Sequence, residues 1–132
     1  MLMTYEYKAE LRRVVDGDTI DVDIDLGFNH WIRGERIRLL GVDCPESRTS
    51  NKVEKRFGLL AKAFVQKFLE GKQIILKTSE KGKYGRYLGD FKVGTKWLTK
   101  ELLKNYHAVE YTGQNKKLVK AAHLKNRQCI SG

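Results

Sequence analysis

From Thr19 to Leu26 the chain alternates without a break. Ile20, Val22, Ile24 and Leu26 are apolar, and Asp21, Asp23 and Asp25 lie between them. Residues two apart in a strand share a face, so this is a half-buried β-strand with its acids on a solvated face. Asp16-Gly17 just before it reads as a tight turn, with positive φ expected at the glycine. Upstream, Tyr5, Tyr7, Ala9 and Leu11 alternate with Glu6, Lys8, Glu10 and Arg12. The chain therefore opens with two strands and a tight connection.

The pattern breaks at "GFNH" and resumes in "WIRGERIRLLGV", where Ile37 and Leu39 alternate with Arg36, Arg38 and Leu40. Pro45 excludes further central strand, and a polar loop follows. Val53, Phe57, Leu60, Ala61, Phe64, Phe68 and Leu69 fall at helical spacings, closed by Gly71 as a C-cap. Gly58 inside that helix costs ~1 kcal/mol relative to alanine. "KQIILKTS" and "YLGDFKV" are two further strands around the basic loop "EKGKYGR". "WLTKELLKNYH" is amphipathic, with Trp97, Leu98, Leu102 and Tyr106 as its stripe, and "NKKLVKAAHLKNR" is a very basic helix. Three strands, a helix, two strands and one or two helices make an α+β, mainly β architecture. The expected fold is a five-stranded Greek-key OB barrel with about three helices. With one proline, no repeat and no low-complexity run, 1–132 reads as a single domain.

Charge is distributed unevenly. Residues 1–66 carry 11 Lys/Arg and 11 Asp/Glu, whereas 67–132 carry 15 and 5, so the second half holds the whole net charge of +10. A basic half beside an acid-bearing half suits a polyanion binder with a cation site. No apolar run approaches the ~18 residues of a membrane span, and the N-terminus lacks a basic, then apolar, leader pattern. A cytoplasmic location is expected, and a phage or mobile-element origin is compatible with it. Cys44 and Cys129 fit no metal or redox spacing and read as free thiols.

Asp18 and Asp43 each follow an apolar strand and sit at a strand end, where different hairpins of a small barrel can meet. Two carboxylates with carbonyls and water form a hard-oxygen site suited to Ca²⁺. Glu46, three residues beyond Asp43, is placed to act on a water, and Arg38 and Arg86 to clamp a phosphate. Each residue alone is better read as a turn or surface residue. Together, "DGDT", "RLLGVDCPE" and "KYGR", in that order on an OB framework, resemble the staphylococcal (micrococcal) nuclease, or thermonuclease-like, family from about Val14 to Tyr111.

That resemblance implies a Ca²⁺-dependent nuclease that hydrolyses phosphodiester bonds of DNA and RNA, single- or double-stranded, leaving 3′-phosphate ends. It implies that Asp18 and Asp43 bind Ca²⁺ with the main-chain carbonyl of Cys44, and that Asp16 stands behind them. Glu46 activates or positions water, Arg38 and Arg86 hold the scissile phosphate, Lys83 and Tyr84 contact a neighbouring phosphate, and Tyr111 stacks on a base. Cys44 departs from the family's usual threonine, the 27–36 hairpin is longer, and only Tyr111 of a tyrosine pair is matched. No family role falls to His30, His107 or His123, which read as surface or packing residues. The enzyme is expected to act as a monomer. The alternative is a catalytically weak or inactive OB-fold nucleic-acid-binding module of the same descent. A plain protein-interaction barrel leaves the basic half unexplained.

Overall fold

A computed structural model of the chain describes residues 5–81 and 87–131. The elements run β1 (Tyr5–Asp16), β2 (Thr19–Asp25), β3 (Trp31–Leu39), β4 (Val42–Asp43), α1 (Lys52–Leu69), β5 (Ile74–Lys81), β6 (Tyr87–Val93), β7 (Lys96–Trp97), α2 (Leu98–Lys104), β8 (Val109–Glu110) and α3 (Lys116–Ser131). β1 pairs antiparallel with β2 and β5, β2 with β3, and β5 with β6. A parallel pairing of β3 with β6, Arg38 opposite Leu88, closes the sheet on itself. Closure removes the sheet's long edges. The fold is therefore the expected mainly-β, five-stranded OB barrel with three helices. To the five barrel strands it adds the short β4 and β8, which pair with each other, and β7, which pairs with β6.

The alternating residues face inward as their period requires. Ile20 and Val22 of β2, Ile37 and Leu39 of β3, Leu76 of β5 and Phe91 of β6 fill the barrel. Helix α1 covers it with Phe57, Ala61, Val65 and Leu69, and α2 adds Leu98 and Leu102. Helix α1 starts where the side chain of Asn51 accepts hydrogen bonds from the amides of Val53 and Glu54, at 3.1 and 3.0 Å.

Several expectations are corrected. Leu60 lies off the inward row 57, 61, 65 and 69 and is exposed, and Val53, one turn before Phe57 in the first turn of α1, is exposed as well. Trp97 remains on strand β7, and Tyr106 lies past α2 with φ +64°, so neither belongs to the helical stripe. Gly17 has no positive φ. Its lack of a side chain serves close packing instead, since a Cβ there would stand 2.9 Å from both Ala61 Cβ and Cys44 Sγ.

Asp23 is not part of a solvated face. The β2–β3 register slips between Val22 and Ile24, where β3 carries an extra residue, so that Arg33 and Gly34 stand opposite Asp23 and it is buried. There its carboxylate accepts from the Gly34 amide at 2.8 Å and from Arg33 and Arg12 at 3.1 and 3.2 Å. The Gly34 amide, then the two guanidiniums, hold the carboxyl below its usual range against the cost of burial. Beyond the bulge the hairpin reaches the expected tip. The His30 amide donates to the Gly27 carbonyl at 2.9 Å, and Phe28 and Asn29 between them are both left-handed, φ +52° and +62°.

Candidate functional site

At one end of the barrel the β1–β2 turn, the end of β3 and the segment after β4 enclose a cleft of about 330 Å³. Its lining includes Asp16, Asp18, Arg38, Asp43, Cys44 and Glu46. Period-2 alternation explains Arg38: with Ile37 and Leu39 committed to the core, the residue between them must face away.

Arg38 bridges the two acids. Its Nη1 stands 3.0 Å from Asp18 Oδ2 and its Nη2 3.4 Å from Asp43 Oδ1. Asp18 is buried, and its Oδ2 also accepts from the Cys44 amide at 2.9 Å, while Thr19 Oγ1 donates to Oδ1 at 3.1 Å. Burial pushes the Asp18 carboxyl above its usual value, opposed by Arg38 and the Cys44 amide and reinforced by the charge of Asp43. The Cys44 thiol is buried behind the turn. Burial, then the charges of Asp18 and Asp43, drive it well above the usual thiol range, so it stays protonated.

Glu46 projects into the cleft, exposed, from a tightly held backbone. On one side, Asp16 Oδ1 accepts from the Ser47 amide at 3.1 Å and from the Ser47 hydroxyl. On the other, α1 crosses so closely that a Cβ at Gly58 would fall onto the Glu46 carbonyl and within 2.6 Å of the Ser47 nitrogen. The unfavourable glycine inside α1 is thus what lets the helix support this loop. Asp16 lines the cleft but spends Oδ1 on Ser47.

The structure brings together Asp16, Asp18, Arg38, Asp43, Cys44 and Glu46. Tyr111 is exposed at the end of β8, its amide donating to the Gly41 carbonyl at 2.9 Å. Lys83, Tyr84 and Arg86 lie outside the described residues. Two further cleft residues stand in no recognisable motif. Arg48 lines the wall, with no ion pair among the described residues, and Arg36 lines it while bound to Asp21 at 2.9 Å. His123, expected at the surface or in packing, instead places Nε2 2.7 Å from Asp43 Oδ2. Its place on the inward stripe of α3 was legible in the helical period, but its partner 80 residues away was not.

Among the described residues no three His, Cys, Asp or Glu side chains form a metal-holding group. Side chains therefore offer a cation at most two carboxylates here, with main-chain carbonyls and water as the remaining donors. That all-oxygen set, beside a thiol kept protonated, fits a hard cation and not a thiophilic one.

An OB barrel whose open end gathers carboxylates around one guanidinium defines a fold and site class. Within it, the chain belongs to the staphylococcal nuclease homologue family, whose model matches residues 36–129. Similar proteins include a thermonuclease of Staphylococcus intermedius, 35% identical over 96 residues, which are 71% of this chain and 54% of that protein. A thermonuclease of Staphylococcus hyicus is 33% identical over 101 residues, 75% and 56% of the two chains. Protein ParB of Escherichia coli is 31% identical over 97 residues, 74% and 45%. The chain spans about half the length of these relatives. No helix among its described residues is long and apolar enough to cross a membrane.

Proposed function

We propose that the chain is a single-domain, Ca²⁺-dependent nuclease that hydrolyses phosphodiester bonds of DNA and RNA and leaves 3′-phosphate ends. The observation that carries the reading is the bridge from Arg38 to both Asp18 and Asp43 in a cleft that also holds Glu46. Asp18, Asp43 and the Cys44 carbonyl would hold Ca²⁺, which would supply positive charge against the phosphate and lower the barrier to attack by water. Glu46, exposed to the cleft on a braced backbone, orients the water and accepts its proton. As water adds to phosphorus, the bond to the 5′-oxygen breaks and that oxygen takes up a proton. Arg38 donates to the phosphate oxygens as their charge grows, and Arg86 is assigned the same task. Lys83 and Tyr84 are assigned to a neighbouring phosphate and Tyr111 to base stacking.

Digestion of end-labelled single-stranded DNA, in millimolar Ca²⁺ and in chelator, tests the reading. Cleavage only with Ca²⁺, with 3′-phosphate products, supports it. Glu46→Gln should retain DNA binding and lose roughly 10²–10⁴-fold in rate. Retarded but intact DNA under both conditions would favour a binding module without catalysis, and a Glu46→Gln variant as active as the parent would remove Glu46 from the mechanism.

A further inference from the structure

Helix α3 meets the barrel through an unusual face. The partly buried positions are Val119, Ala122, His123, Asn126, Arg127 and Ile130, whereas Leu118 and Leu124 are exposed. The centre of the docked stripe is therefore polar. Asn126 Nδ2 donates to the Ala108 carbonyl at 2.9 Å, and the Arg127 guanidinium lies 5.5 Å from the ring centre of Phe57 in α1. His123, one turn before Asn126, reaches Asp43 at 2.7 Å with its side chain only 13% exposed. Asp43 in turn pairs with Val109 of β8, next to the carbonyl that Asn126 holds. One face of α3 thus holds both the segment entering β8, the strand paired with Asp43's own, and the Asp43 carboxylate itself.

We propose that His123 is a positioning residue for Asp43, coupling the docking of α3 to cation binding at the cleft. A carboxylate only accepts hydrogen bonds, so Nε2 carries the proton and donates. The terminal torsion of an aspartate is soft and Asp43 is partly open to solvent, so the 3.4 Å contact with Arg38 alone fixes the plane of its carboxylate weakly. With Oδ2 held by the imidazole, Oδ1 is the oxygen turned toward Arg38 and the cleft. Fixing the carboxylate in advance removes an ordering cost from cation binding. By linkage, a cation that favours this orientation also favours docked α3.

The inference rests on the proposed cation site, and the two fail in different ways. Calorimetric titration with Ca²⁺ alone should show binding by the parent and none by Asp18→Asn. His123→Ala should bind roughly tenfold or more weakly. His123→Gln, whose amide nitrogen extends to the same place, should recover most of that loss. Hydrogen exchange in 116–131 should slow on adding Ca²⁺ to the parent and not to His123→Ala. If His123→Ala binds Ca²⁺ as tightly as the parent or tighter while Asp18→Asn does not bind, the positioning role is overturned and the cation site stands. If the parent binds no Ca²⁺, the cation site falls, and this role with it.

Discussion

Three residues show how a single side chain, or the lack of one, sets the properties of its surroundings. Gly58 looks like a defect in α1 until the Glu46 carbonyl is seen where its Cβ would be. Gly58→Ala gains ~1 kcal/mol of helix propensity but forces the loop off the helix, an overpacking cost of roughly 1–3 kcal/mol. The expected outcome is a net loss of stability in urea, with hydrolysis reduced beyond what the unfolded fraction accounts for. A more stable, fully active variant would show that the loop yields freely. His107 packs its ring 4.9 Å from that of Phe64, and its buried Nδ1 has no hydrogen-bond partner among the described residues. Burial lowers its pKa, so the folded chain resists a proton that the unfolded chain accepts. Stability from this residue is full above its ordinary pKa, roughly 6.5, and is lost as pH falls from there through the lowered folded value. His107→Phe should flatten the fall in melting temperature between about pH 7 and pH 5. Asp23 makes the same point at a bulge: an acid in unbroken alternation with apolar residues is buried because the register slips beneath it.

The elements differ in what holds them. β2 and β3 are bound by ladder and core, and their shared tip is free of both. Phe28 is 98% exposed and left-handed, a conformation that costs a bulky residue roughly 1–2 kcal/mol, with no burial in return. Phe28→Asn, which tolerates that backbone, should raise stability by roughly 0.5–1 kcal/mol in a thermal melt. A fall in stability would mean that the ring makes interactions the exposed geometry does not show. Helix α3 is the opposite case. Its outward leucines are exposed and its inward centre is His123, Asn126 and Arg127, so directed polar interactions seat it more than an apolar stripe does.

Along the chain, charge is balanced in the first half and in surplus in the second. Four arginines of the first half find acids: Arg12 and Arg33 meet Asp23, Arg36 meets Asp21, and Arg38 meets Asp18 and Asp43. Lys116, Lys117, Lys120 and Lys125 of α3 have no ion pair among the described residues, and their helix touches the cleft through His123. On the proposed nuclease reading these lysines track a nucleic-acid backbone. Replacing all four with glutamine should weaken binding to single-stranded DNA and lower the slope of log affinity against log salt by about 0.7 for each phosphate that is no longer neutralised. An unchanged slope would place the backbone path elsewhere.

The amino-acid sequence by itself determined the strands, the helices and the barrel. Period-2 and period-3.6 burial are local patterns, and turn and cap chemistry marks their ends. It also determined which acids and arginines were candidates, because Asp18, Arg38, Asp43 and Glu46 stand in short, ordered motifs. Only the tertiary structure decided that Arg38 bridges both acids, that Gly58 makes room for Glu46, that Asp23 is buried and that His123 holds Asp43. Each of these joins segments far apart in the chain, or follows from a slip of register. A side chain's periodicity says which way it faces but carries no information about what it will meet there.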